Sequence, residues 1–573
     1  MVLADLSLGF RNAYLDHDRL TAQLRAWAEA FPALCRLTSL ARTPEGRDVW
    51  LLAIGPEPDR VRPAVWVGGN IHAAELAGSS VALAIAEDVL QLHLARSPAD
   101  APALPAPMLD RLRDVMFYVV PRISPDGAEC VLQVGRSVRS APRDQRVERG
   151  QPRWIPGDID GDGQARAMRV KDPGGELVEA PEFPGLLVER TLADEGPFYK
   201  LYPEGVIEHF DGKRIPSPNF LGDNPIDLNR NFPWTWAPAH EQIGAGPFAA
   251  SEPEARGIVE FATAHPEIFA WLDLHTFGGV VIRPLGHAAD AKMDPEDLAV
   301  FRQLEAWMAE HTGYPTVSGY DEFLYEPDKP LRGDLSDYAY HQRGALAYVI
   351  ELWDLFRRLG MARPPKFVQY YERVSREDLI KLAWWDRDEN EGRTFPPWRA
   401  FDHPQLGAVE LGGIDPRVGI WNPPLHHLDQ MCASQAHAFL HVAALAPRLR
   451  IGEVRRVVLL GGLTRVEIQI ANDGYLGSYG VPSAKKLDFN EPVYAVAKPE
   501  GCALVDPGAA HQILGHLDGW GHGLHTGANL PAYPGTRGTT NAAWASYLVR
   551  GAGALELRIG SCRAGFVTTR ITV

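Results

Sequence analysis

The sequence predicts an α/β protein: a mixed, largely parallel twisted sheet flanked by helices on both faces, followed by an all-β antiparallel sandwich. Three observations carry this expectation. Strand-like segments recur between helical stretches. Their apolar runs are unbroken, as expected for strands buried on both faces. After Arg450 the helical patterns almost vanish and short alternating strands with Gly-rich turns take over. A chain of 573 residues exceeds one ordinary domain. Residues 1–450 are therefore read as one unit and residues 451–573 as a second.

Residues 14–34 place apolar positions at helical spacing and end near Pro32. RDVWLLAIGP (47–56) and PAVWVGGN (63–70) are strands, rich in β-branched and aromatic residues and bounded by Gly and Pro. Residues 75–95 form a long, mostly buried helix. VMFYVVPRI (115–123), IFAWLDLHT (268–276) and ALAYVIELWD (345–354) are continuous apolar strands. Two stretches break the pattern, residues 140–225 and 355–405, both rich in charge, Pro and Gly. Long irregular loops in a compact domain are usually lids or insertions, so both are read as insertions. Helix resumes over 425–449. RRVVLLGGLTRVEIQIAND, PVYAVA, ALELRIG and AGFVTTRITV then supply the strands of the sandwich.

Composition narrows the function classes. Hydrophobic residues make up 45% and charged residues 23%, which excludes wholesale disorder. Lys and Arg number 57 against 73 Asp and Glu, a net charge of −16. Such a chain repels phosphate backbones and anionic lipids, so neither nucleic acid nor membrane is an expected partner. No apolar run reaches the ~20 residues that cross a bilayer. Cys35, Cys130, Cys432, Cys502 and Cys562 form no CxxC pair. They read as neither a disulfide framework nor a cysteine zinc site, and they suit a reducing compartment. The N-terminus lacks a basic start followed by an apolar core, so a cytoplasmic location is expected.

The strand at 63–70 runs into Gly-Asn-Ile-His72-Ala-Ala-Glu75 and then a helix. An imidazole and a carboxylate three residues apart at such a turn can face one point above the sheet edge and serve as zinc ligands. HxxE alone is common, and on that spacing by itself a capping Glu beside a surface His is the preferred reading. His275, however, closes the buried strand 268–276, at the edge where open α/β sheets bind ligands. Three protein ligands leave a fourth position for water, the catalytic rather than the structural pattern. Glu351 then puts a carboxylate at the end of another apolar strand. A buried charge is costly without a partner or a task, and a general base beside a zinc-activated water is such a task.

These segments match a family in order and in local sequence. TPEGRDVWLLAIG, GGNIHAAE, VPRISPDG, DLNRNFP, SEPEA, LDLHTFGG, LSDYAYHQRGALAYVIELWD and HPQLGAVELGG together span about residues 10–450. The chain resembles the zinc carboxypeptidases typified by carboxypeptidase A. That resemblance implies a zinc-dependent hydrolase that cleaves a C-terminal amide bond in peptides bearing a free carboxylate. One catalytic Zn²⁺ would sit on His72, Glu75 and His275, with Glu351 as general base. It also implies that Asn229 and Arg230 grip the terminal carboxylate, which an Arg fork suits bidentately. Asp227 would orient His72 from behind.

Arg139, thirteen residues after Asp126, is similar to the family arginine that stabilises the oxyanion, with Arg136 as the neighbouring alternative; the tryptophan usual between the two is absent. Counting back from Glu351 for the family's mobile tyrosine lands on Lys329. A short insertion gives Tyr325, with Tyr320 in reserve. Ser336 takes the specificity position and, being neither apolar nor acidic, names no preferred tail residue.

An alternative reading is a zinc amidase or deacylase acting on peptidoglycan stem peptides or N-acyl amino acids. A non-catalytic peptide-binding protein on the same scaffold comes third. Oligomeric state is not legible. Asp158, Asp160 and Asp162 mimic the first half of an EF-hand loop, but its twelfth position is Arg169, so Asx turns are preferred there over Ca²⁺. Trp384 and Trp385 either wall the cleft or simply pack. The two histidines of GHGLHTGANLPAYPG (521–535) read as polar loop residues.

Overall fold

The computed structural model describes residues 3–97, 100–144, 150–218, 226–326, 329–372, 374–521 and 537–573. His522 and His525 lie outside the described residues. An eight-stranded mixed sheet organises the first unit. Its order is Cys35–Arg42, Asp48–Ile54, Met116–Val120, Ala64–Gly69, Ile268–Thr276, Leu346–Leu352, Val280–Arg283, Thr316–Ser318. The four strands from Met116–Val120 to Leu346–Leu352 are parallel neighbours, as their unbroken apolar runs predict. Antiparallel pairs join them to the flanking strands on both sides.

Ile268–Thr276 sits at the centre, and all nine of its residues are buried. Its register sets Leu274 opposite Gly69 and His275 opposite Glu351. Parallel strands end on one edge, so this register brings His275, Glu351 and the turn after Gly69 together. The helices Ala77–Leu94, Leu425–Ala443 and Pro295–Thr312 pack on one another beside the sheet. Pro253–Ala264 carries Phe261 against Trp66, which stacks on Trp271 at 4.6 Å.

Two expectations need correction. The first strand of the sheet is Cys35–Arg42, not the segment at 47–56. It escapes notice because it is largely solvent-facing and has no apolar run. The segments 140–225 and 355–405 are also not simply irregular. Arg399–His403, Gly407–Gly412, Ala167–Lys171, Phe198–Pro203, Leu177–Glu179 and Leu187–Glu189 form one six-stranded sheet, and Arg376–Glu389 is helical. Arg169, read as the residue that spoils an EF-hand, anchors this sheet. Its guanidinium lies between Tyr199 and Trp398 and bonds Glu410 and Glu179. Trp384 packs on Phe183 and Trp385 on Trp353.

Beyond Leu449 the chain forms two four-stranded antiparallel sheets. They share one core in which Val466, Ile468 and Ile470 of one sheet meet Val493, Leu555, Leu557 and Ile559 of the other. The buried Arg563 donates to the carbonyls of Ile268 and Gly344 at 3.0 Å and of Arg343 at 2.6 Å. This guanidinium thus ties the C-terminal sheets to residues at the start of the strands that end in His275 and Glu351. Among the described residues no helix is long and apolar enough to cross a membrane.

Candidate active site

The turn after Gly69 is built by Asn70, in the left-handed region at φ 57°, a conformation Asn tolerates better than most residues. Its amide donates to the carbonyls of His72 and Ala73, while its Oδ1 accepts from Arg122. The helix start is then pinned by Asn422, which accepts from Ala77 N–H and donates to Ala74 C=O. A side chain at Gly69 would meet the carbonyl of Gly78 at 2.6 Å, so only glycine lets the helix approach the strand this closely. His72 and Glu75 are thereby turned inward with 5% and 2% exposure, and His275 meets them from the neighbouring strand at 1%.

Their inner atoms converge. His72 Nδ1 lies 2.7 Å from Glu75 Oε1, His275 Nδ1 lies 3.0 Å from Glu75 Oε2, and the two Nδ1 atoms are 3.1 Å apart. Each outer nitrogen meets an acid: His72 Nε2 donates to Asp227 at 3.1 Å, and His275 Nε2 to Asp273 at 3.1 Å. This back-side bonding assigns the proton to Nε2 and turns the Nδ1 lone pair inward. Two imidazole nitrogens and a carboxylate, all buried and aimed at one another, are a donor set that fits Zn²⁺. Burial alone would raise Glu75, yet His72 and His275 bring it down to about 2. Burial would likewise lower His275, but Asp273 and Glu75 hold it well above the ordinary imidazole range.

Asp227 joins the predicted residues into one network. It accepts from His72, from Asn229 N–H at 2.9 Å and from Arg139 Nε at 2.9 Å. Although burial works against its charge, Arg139 and His72 pull its carboxyl well below the usual range. Arg139 is raised despite its own burial, chiefly by Asp227 and Glu75. Arg230 donates to the carbonyl of Asn229, whose Oδ1 accepts from Leu335 N–H.

A cleft opens over this cluster. His72, His275, Glu351, Arg139, Asn229, Arg230, Tyr325 and Ser336 all line it. Glu75 lies beneath, between the inner nitrogens of the two histidines, and Asp227 stands behind His72. Arg136, Tyr320, Trp384 and Trp385 are not among the lining residues. Glu351 Oε2 is buried without a hydrogen-bond partner. Burial pushes this carboxyl up to about 8, with His275 acting in the opposite direction.

Three residues were missed by the sequence reading. Asp273 holds His275 from behind; its signal was the Asp-x-His spacing, which puts both side chains on one face of a strand. Asp334 lines the cleft with Oδ2 buried and unpartnered, while its Oδ1 accepts from Ser336 Oγ and Asp337 N–H. Burial and then Asp337 push it up to about 7. The hydroxyl of Ser336 is thus turned to this acid. Tyr371, from the second inserted segment, donates to the carbonyl of Phe277, and Glu351 is among the charges that raise its phenol. Nothing in the sequence marked it.

The acidic loop is arranged differently. Asp158 accepts from the N–H groups of Gly161 and Gly163, both at 2.7 Å. Asp160 accepts from Asp162 N–H and Arg399, and Asp162 from Gln164 N–H, Arg166 and Arg399. Carboxylate oxygens of Asp158, Asp160 and the buried Glu204 lie within 4.8 Å of one another. Glu204 itself receives Ile159 N–H and Arg166 N–H.

Comparison with known proteins follows the same division. The profile of the zinc carboxypeptidase family matches residues 20–162 and 214–377, more than half of the chain. It passes over 163–213, where most strands of the second sheet lie, and stops before HPQLGAVELGG, a segment of the resemblance that it does not include. A domain of unknown function matches residues 448–572. Mouse carboxypeptidase A4 is 22% identical over 344 residues, 60% of this chain and 63% of that protein. A Saccharomyces cerevisiae protein named as an inactive metallocarboxypeptidase is 21% identical over 378 residues, 63% of this chain and 68% of that protein. The crystal structure of carboxypeptidase A from Helicoverpa armigera aligns with a TM-score of 0.42 at 15% identity, covering 77% of each chain. The profile match, set beside the buried His72, Glu75 and His275 group, places the chain in the zinc carboxypeptidase family.

Proposed function

We propose that the protein is a working zinc carboxypeptidase that releases the last residue of a peptide. The observation that carries this is Glu351 Oε2, a buried carboxylate oxygen without a partner, in the same cleft as the His72 and His275 rings and the Arg230 guanidinium. A divalent zinc on His72, Glu75 and His275 would supply Lewis-acid polarisation of the amide carbonyl and a more acidic water. Glu351 is placed to take a proton from an attacking water and to pass it to the departing amine. Arg139, fixed by Asp227, stabilises the negative charge that develops on the carbonyl oxygen. Asn229 and Arg230 orient the free carboxylate and so set the bond over the ligands.

Asp334 refines the substrate class. It lines the cleft beside Ser336 and keeps one carboxylate oxygen unpartnered, which favours a terminal residue whose side chain carries a cation or a hydrogen-bond donor. Glu351→Gln tests the core of the reading. It preserves volume and removes the base, so zinc content should be unchanged while kcat falls about 10²–10⁴-fold. Undiminished hydrolysis by that variant overturns the mechanism.

A further inference from the structure

A second cluster of metal-ligating side chains lies outside the cleft. His311 is in the last turn of the helix Pro295–Thr312, and His437 and His441 lie one turn apart on the helix Leu425–Ala443. The two helices pack side by side. The three rings face one another with centroids 4.1 to 4.8 Å apart. One nitrogen from each lies within 4.8 Å of the others, and no carboxylate belongs to the group. Two nitrogens bound at ~2.0–2.1 Å to a tetrahedral ion stand about 3.3 Å apart, so small ring rotations bring all three into range.

His441 Nδ1 donates to the carbonyl of His437 at 2.8 Å. This is the same back-side fixation seen at His72 and His275, here made by a backbone oxygen, and it leaves Nε2 bare. Burial and then His441 lower His311, and burial with the neighbouring imidazoles lowers His437. Both shifts run toward the neutral imidazole, the form that binds metals.

We propose that His311, His437 and His441 form a second divalent-metal site that takes Zn²⁺ and clips the helix Pro295–Thr312 to the helix Leu425–Ala443. An all-imidazole donor set selects zinc and its late first-row neighbours over Mg²⁺ and Ca²⁺. Three protein ligands leave a fourth position to water. None of the three histidines lines the catalytic cleft, so this site contributes holding energy rather than chemistry.

Metal counting on the full chain tests the proposal. After loading with Zn²⁺ and dialysis, the unmodified chain should retain two zinc ions. His437→Ala/His441→Ala, which places good helix formers on the helix face, should retain one, with peptide hydrolysis within about twofold. His72→Ala/His275→Ala should also retain one, held by the triad. This count stands whether or not the cleft proves catalytic. Zinc should raise the unfolding midpoint of His72→Ala/His275→Ala, and the rise should vanish when His311→Gln is added. Equal zinc content in the unmodified chain and His437→Ala/His441→Ala, or an equal midpoint rise with and without His311→Gln, overturns the site.

Discussion

The cleft and the loop at 158–163 both gather carboxylates, and both suggest a cation from sequence, yet their atoms are used in opposite ways. In the loop, backbone N–H groups and arginines already occupy the acids: Asp158 binds two glycine amides, and Asp160 and Asp162 share Arg399. In the cleft, the outer nitrogens of His72 and His275 are occupied while the inner ones face each other, and Glu351 Oε2 has no partner at all. What separates these two regions is what the protein leaves unsatisfied in each, since a buried polar atom without a partner carries a cost. Acid count alone does not separate the two regions.

Removing an inner atom should break this contrast most severely. His275→Ala deletes one of three proposed ligands and should abolish both the zinc held in the cleft and hydrolysis. Asp158→Asn should change neither. Zinc content and turnover measured on the two variants side by side check this, and retention of stoichiometric cleft zinc by His275→Ala would erase the distinction.

A step down in magnitude, Asp273→Asn keeps the shape behind His275 but replaces the charged acceptor that fixes its Nε2 proton. Metal affinity should fall about 10–100-fold, with the effect reversed by raising free zinc. Competition with a chelator reads this directly. An unchanged affinity would mean that the strand alone orients the imidazole.

Much of this was legible because the strands carrying the site are apolar runs interrupted only by functional residues. Glu351 and His275 stand out as polar atoms at the ends of buried strands, and the parallel register that unites them follows from those runs. Asp273 was hidden by the same feature, since one more polar residue inside IFAWLDLHT did not alter its reading as a strand. The six-stranded sheet was not legible at all. Its strands are three to six residues long, and Ala167 pairs with Gly412, far away in the chain. No local period signals such a pairing. Asp334 was visible only as a residue before a short helix; that one of its oxygens caps that helix while the other stays buried without a partner is a matter of three-dimensional placement.

Smaller again is the expected effect of Asp334→Asn. The substitution retains an Oδ1 that can cap Asp337 N–H and removes the charge from the cleft. For peptides ending in Lys or Arg, kcat/KM should fall about tenfold or more, as expected for loss of a charge-assisted hydrogen bond. Peptides ending in Leu should change little. An equal loss on both would show that Asp334 supports the fold of the cleft wall rather than reading the tail.

The smallest effect belongs to the loop, and it bears most directly on the comparison. Asp158 uses both carboxylate oxygens on backbone amides, so Asp158→Asn keeps one acceptor and gives up the other. The loss should amount to about 1 kcal/mol, the usual net value of one such bond, and should stay local. Amide exchange at Gly161 and Gly163 should quicken several-fold while exchange in the strand Ile268–Thr276 stays unchanged. Calcium supplies the other half of the test. If the acids are already satisfied by the chain, added Ca²⁺ should slow exchange in neither the unmodified protein nor the variant. Protection that appears with Ca²⁺ in the unmodified protein and disappears in Asp158→Asn would show that a cation displaces those amides, and the two acid-rich regions would then differ in affinity rather than in kind.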